Sequence, residues 1–196
     1  MSDSGLQADV PGGRFYESDY QSPLSLANKI GRVAWAIVAG TAFRWSPAPC
    51  FAWRRLLLRL FGARLANTSR VYPSCRIWAP WNLVMDADAC LGPDVKCLNV
   101  ETVSIGAEAT VSFGTVLCAA SHDINRTDRR LVSGPITIER GAFVFAEAFI
   151  CMNVTIGAGA VVAARGFVCR DVGPFEVVAG NPAQVVAVRR LAAPSA

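Results

Sequence analysis

Residues 135–183 read PITIERGAFVFAEAFICMNVTIGAGAVVAARGFVCRDVGPFEVVAGNPA. Within this run Ile138, Val144, Ile150, Ile156, Val162 and Val168 stand six residues apart without a slip. Four residues after each comes something small or β-branched: Ala142, Ala148, Val154, Ala160, Gly166 and Val172. A helix repeats at about 3.6 residues and a two-faced strand at about two, so neither fits. A coil of triangular cross-section does, because each side then uses six residues and turns a corner. The aliphatic residue points into the prism and the small residue relieves crowding at the corner. Stacked coils of this kind bury one continuous core, which is the hexapeptide pattern of a parallel β-helix.

Upstream, Met85, Leu91 and Cys97 keep the same step, and Ile105, Val111 and Leu117 resume it after a two-residue slip. The slip falls at Asn99 to Val103, so a corner is expected to bulge there. The ladder stops at Ser121 and restarts only at Ile136 or Ile138. The interruption, His122 to Pro135, carries Asp123, Asn125, Arg126, Asp128, Arg129 and Arg130. A polar loop thrown out of a regular solenoid is where function is expected.

The chain of 196 residues is long enough for one core with an appendage. Apolar residues make up 53% and charged residues 17%, which excludes disorder for most of it. Residues 1–23 are polar and read as an arm. From Gln21 to Met85 there is no acidic residue, yet the stretch holds nine basic residues and all five tryptophans. Leu24 to Phe43 reads as one helix, broken by Ser46-Pro47-Ala48-Pro49, with a second from Phe51 to Phe61 stopped at Gly62. The eleven uncharged residues between Arg32 and Arg44 fall short of the roughly twenty a bilayer crossing needs. These helices either cap the open end of the solenoid or also rest on an anionic membrane surface. No nucleic-acid reading motif accompanies their charge. Seven cysteines, an odd number without a CxxC pair, read as reduced thiols in a cytoplasmic protein.

His122 is the one histidine. It stands where a regular coil ends and the polar loop begins, and imidazole is well suited to taking a proton from a hydroxyl. A bystander loop histidine is the plainer alternative; its position favours a general base. A zinc centre would need about three histidines, so no metal is expected. Ser121-His122-Asp123 makes a poor triad, because neighbours on extended chain point opposite ways.

Ser121-His122-Asp123, Gly134-Pro135-Ile136-Thr137-Ile138, Val154-Thr155-Ile156-Gly157-Ala158-Gly159-Ala160 and the Gly180-Asn181-Pro182-Ala183 close resemble the hexapeptide-repeat acyltransferases. The similarity covers roughly residues 24–190. It is strongest to the galactoside, maltose and nodulation-factor O-acetyltransferase branch. Within that branch, the colanic acid and exopolysaccharide biosynthesis acetyltransferases share a segment like Trp53-Arg54-Arg55-Leu56-Leu57-Leu58-Arg59-Leu60-Phe61-Gly62.

That resemblance implies an all-β fold, a left-handed parallel β-helix (hexapeptide-repeat solenoid) with an N-terminal helical segment, assembled as a homotrimer. It implies acetyl-CoA as co-substrate, lying between neighbouring coils, and a sugar or glycan acceptor. His122 matches the family's base, and Asn99 its acceptor-orienting asparagine. The cofactor contacts fall on Ala146, Ala164, Cys169 and Arg170. At the basic end, Arg189 or Arg190 either reaches the phosphates of CoA or belongs to a solvated tail. Phe145 is bulky where the family keeps a close backbone approach, and Phe143 replaces a common tryptophan. The expected organisation is an arm (1–23), a helical segment (24–64), the β-helix (65–190) with loop 122–135, and a tail (191–196). The activity expected is acetyl transfer to a sugar hydroxyl in exopolysaccharide or lipid-linked glycan synthesis. A non-catalytic scaffold at a membrane surface is the alternative.

Overall fold

The structure is a computed structural model, and it describes residues 24–126 and 128–191. The six-residue ladder becomes a stack of three-sided parallel coils. Two faces of the prism are five-stranded sheets and the third has seven strands. Met85, Leu91, Cys97, Ile105, Val111 and Leu117 are all buried, as are Ile138, Val144, Ile150, Ile156, Val162 and Val168. Leu65, Val71 and Ile77 add one more coil below them, at the same step of six.

Register shows where the repeat is stretched. On the first face Leu65 pairs with Met85, and Met85 with Ile105, twenty residues apart. Ile138 pairs with Ile156, eighteen apart, which is three sides of six. The two extra residues of the lower coils sit at one corner, after Ile77 and again after Cys97. Ile105 pairs directly with Ile138, so the loop between them is excluded from the stack. Three residues after the ladder position, most corners turn through the left-handed region. Asp88, Asp94, Glu108, Glu147, Asn153 and Arg165 have positive φ there, as do Gly114, Gly141 and Gly159.

At the lower end, α1 (Leu26–Val38), capped by Ser25, runs into a π-helical turn, Ala39–Phe43. The single helix expected to Phe43 is thus α-helical only to Val38. After the proline break comes α2 (Phe51–Leu60). Trp35, Phe43, Leu57 and Leu58 are buried in the same core cluster as the ladder. Arginines of α2 satisfy carbonyls that the lowest coil has no neighbour to pair with. Arg54 is fully buried and donates to Val71 O (2.6 Å), Pro47 O (2.8 Å), Ser46 Oγ (2.8 Å) and Ala48 O. Arg55 donates to Ser69 O and Arg59 to Leu65 O. The segment therefore caps the prism. Its outer side remains apolar, with Leu26, Ile30, Val33 and Ile37 of α1 exposed.

At the other end, Glu176–Gly180 pairs in parallel with Val161–Val162. The chain then reverses through Asn181-Pro182 into the antiparallel edge strand Ala183–Val188. Gly180 has φ +100°, a conformation a side chain would strain.

Candidate functional site

Where the ladder stops, the chain leaves the corner as an antiparallel ribbon. Ala120–His122 pairs with Leu131–Ser133, and His122 lies opposite Leu131. The excluded loop is thus a hairpin whose first strand carries the histidine. Its base is fixed to the stack: Gly134 N donates to Ala119 O, and a Cβ on Gly134 would collide with the Asn153 amide of the next coil. Beyond the strands, Asp123 N donates to Arg130 O. Asp128 receives two hydrogen bonds from Arg126 (2.9 and 2.7 Å) and one from Arg130 N. The Arg126 guanidinium lowers the Asp128 pKa to about 2, so this brace is ionic at neutral pH.

His122 is exposed, and its Nδ1 lies 2.6 Å from Arg129 O. A carbonyl oxygen only accepts, so Nδ1 carries the proton and the lone pair of the neutral ring is on Nε2. Arg129 makes this possible by standing at φ +46°, which turns its carbonyl back toward the imidazole. His122 is the base candidate that the sequence singles out; the backbone group that fixes its tautomer is visible only in the structure. A non-glycine αL position leaves little mark in sequence.

Asn99 is placed differently from its expected contact with the acceptor. It is fully buried, its Oδ1 accepts from Trp78 N (3.1 Å) and Ala79 N (3.0 Å), and its Nδ2 donates to Ala79 O. The amide is spent on the backbone of the coil beneath, so Asn99 braces the bulged corner and offers nothing outward. Asn82 completes the brace by donating to Asn99 O and Val100 O.

The residues expected at the cofactor fall into two groups. Cys169 and Arg170 are exposed and line a cleft of about 250 Å³ beside Pro182 and Ala183. They stand at the corner that emits the histidine hairpin, since Leu98 pairs with Cys118 and Cys118 with Cys151 just ahead of that corner. Ala146 and Ala164 stack on successive coils at the preceding corner, joined by Arg165 N to Ala146 O (2.9 Å). One whole face of the prism separates them from His122. Phe145 is 44% exposed beside Ala146, its ring 4.5 Å from Phe143.

Arg189 is not placed to reach a phosphate freely. It is half-buried, and its Nη1 donates to Gly141 O (3.1 Å) and Gly159 O (3.0 Å), latching the last strand to two corners. Arg190 is exposed. All seven cysteines are free thiols, and burial pushes the Cys75 pKa up to about 12. Among the described residues no cluster of three or more His, Cys, Asp or Glu side chains is placed to hold a metal. No described helix is long and apolar enough to cross a membrane.

No protein-family model matches the chain. A protein of Escherichia coli K12 named "Putative colanic acid biosynthesis acetyltransferase WcaF" is 36% identical over 162 residues, covering 83% of this chain and 89% of that protein. Its namesake in Shigella flexneri matches equally. The hexapeptide-repeat acetyltransferase VCA0836 of Vibrio cholerae superposes with a TM-score of 0.76 at 26% identity, over 84% of this chain and 93% of its own. A maltose O-acetyltransferase of Clostridium difficile shares the fold, with a TM-score of 0.75 at 20% identity over 85% and 90% of the two chains. The stretched prism, the excluded histidine hairpin and this similarity agree: the chain belongs to the hexapeptide-repeat acetyltransferases, beside the WcaF proteins.

Proposed function

We infer that the protein moves an acetyl group from acetyl-CoA to a hydroxyl of a sugar in exopolysaccharide or lipid-linked glycan synthesis. The observation that carries this reading is the His122 tautomer, with Nδ1 committed to Arg129 O and the lone pair on Nε2. Nε2 takes the hydroxyl proton as the sugar oxygen attacks the thioester carbonyl directly. The proton then leaves with the thiol of CoA, and no acyl-enzyme forms. Acetyl-CoA supplies the activated acetyl group. The cleft at Cys169 and Arg170 and the stacked Ala146 and Ala164 are the surfaces that fit it.

The separation of those two surfaces supports a homotrimer. A small-residue corner of one protomer would face the histidine corner of the next, so each site would be shared. The VCA0836 acetyltransferase has also been solved in complex with acetyl-CoA. Leu26, Ile30, Val33 and Ile37, beside an acid-free basic segment, support peripheral contact with the cytoplasmic face of a membrane. The test is CoA release from acetyl-CoA in the presence of candidate sugar acceptors, compared between wild type and His122→Ala. Undiminished turnover in the variant removes the mechanism.

A further inference from the structure

Between α1 and the edge of the lowest coil lies a cleft of about 380 Å³, lined by Arg32, Arg44 and Arg76 with Trp35, Trp78 and Gly40. In an unbroken α-helix the twelve residues from Arg32 to Arg44 leave the two side chains about 120° apart. The wider π turn Ala39–Phe43 takes out part of that difference, and both arginines line one cavity. Gly40 between them leaves the floor open, with nothing within 4 Å of where a Cβ would stand. Arg32 stacks over Trp78 at 4.3 Å, while the Trp35 indole N–H is spent on Ile77 O. Among the described residues no carboxylate forms an ion pair with any of the three arginines. Arg32 Nε also donates to Asn28 Oδ1 (3.2 Å), and three guanidinium groups lining one cavity without a counter-charge make a site for a phosphate ester.

Its position ties it to the reaction. Trp78 lies at the corner braced by Asn99, one coil below it. Arg76 pairs with Lys96, and Lys96 with Val116, on the strand that runs into the histidine hairpin. The cleft is therefore two coils, roughly 10 Å, below the coil that emits His122, on the same edge of the prism.

We propose that this cleft holds the phosphate through which the acceptor sugar is joined to its carrier, so that the acceptor is a phosphate-linked sugar rather than a free one. The proposal rests on the acetyl-transfer reading above. The exposed apolar stripe of Ile30, Val33 and Ile37 on the same helix favours a polyprenyl carrier over a nucleotide.

Two measurements on the full chain separate the proposal from that reading. In the first, inorganic pyrophosphate is titrated by calorimetry at low salt into wild type and into Arg44→Gln/Arg76→Gln. Both side chains are exposed, and circular dichroism checks that the variant is folded. Binding weakened at least tenfold in the variant is expected; equal binding overturns the site whether or not an acetyl acceptor is known. In the second, acetyl transfer is followed with a free sugar, the same sugar on a nucleoside diphosphate, and the same sugar on a short polyprenyl diphosphate. The double variant should raise KM for the phosphate-linked sugars about tenfold, leaving kcat and the KM for acetyl-CoA and free sugar unchanged. An equal rise for the free sugar overturns the proposal. Preference for the polyprenyl substrate that disappears in Ile30→Ser/Val33→Ser supports the lipid carrier, and equal use of the nucleotide overturns that choice. Pyrophosphate binding that depends on the arginines, without transfer to any sugar, upholds the phosphate site and overturns the acetyl-transfer reading instead.

Discussion

Replacing His122 by alanine separates chemistry from architecture. The side chain is exposed and makes its hydrogen bond to Arg129 O at the tip of a ribbon outside the core. Losing that bond costs at most about 1 kcal/mol of local order. The stack above and below continues, because Ile105 pairs with Ile138 without the hairpin. Loss of the base itself should lower kcat by about 10²- to 10⁴-fold, or about 3–5 kcal/mol of transition-state stabilisation. Half-saturation by acetyl-CoA and the melting temperature should stay as in wild type. CoA is best quantified by chromatography, since a thiol reagent would also read the exposed Cys169. A second pair of variants tests the tautomer. Arg129→Gly keeps φ +46° at no steric cost and should be the more active of the two. Arg129→Val disfavours that conformation and should swing the carbonyl away, lowering kcat about tenfold, the worth of one ordinary hydrogen bond. Wild-type turnover in His122→Ala, or equal activity of the two Arg129 variants, refutes the reasoning.

Arg54→Met should destabilise the fold by about 3 kcal/mol, since carbonyls of Pro47, Ala48 and Val71 lose a buried donor; differential scanning calorimetry should show the melting point falling on the order of 10 °C. Asp128 has a lowered folded pKa of about 2, so its stabilising contribution is complete above the ordinary carboxylate range and is lost only as pH falls toward 2. Asp128→Asn should therefore weaken the hairpin equally at every pH from 5 to 9 and leave the shape of the rate–pH profile unchanged. Iodoacetamide at pH 8 should label Cys169 ahead of Cys75 and Cys97, whose thiols burial holds protonated. Acetyl-CoA should slow labelling at Cys169, read by peptide mass spectrometry, and labelling that ignores acetyl-CoA removes Cys169 from the cofactor surface.

The ladder was legible because a period of six has no rival among the simple elements, and the two-residue slip gave the bulged corner as well. His122 stands out as a candidate because it heads the one long break in that period. The lowest coil lies inside the expected β-helix from residue 65, but its ladder positions Leu65, Val71 and Ile77 are less plain because an arginine precedes each of them. Arg54 is one of nine basic residues in the acid-free stretch, and nothing in that charge singles it out for burial. With Leu57 and Leu58 it occupies the inward positions of α2, a spacing that marks a buried stripe. Asn99 was assigned outward by analogy. Extra residues at a corner leave backbone groups without ladder partners, and a short amide is the natural way to satisfy them. Sequence offers Arg189 either to a phosphate or to solvent, and only the folded-back last strand brings it over Gly141 and Gly159.

The pairing of Ile105 with Ile138 means that the core keeps no record of what lies between them. Thirty-three positions apart in sequence, the two meet as ordinary neighbours, and the hairpin is tethered where the prism is already closed. Loop-closure entropy rises only about 0.6 kcal/mol for each doubling of length. The ribbon can therefore be lengthened, shortened or exchanged at little thermodynamic cost, provided Gly134 stays against Asn153. On the acetyl-transfer reading, acceptor preference can drift quickly while the scaffold stays still, and that corner is where a new specificity is best grafted.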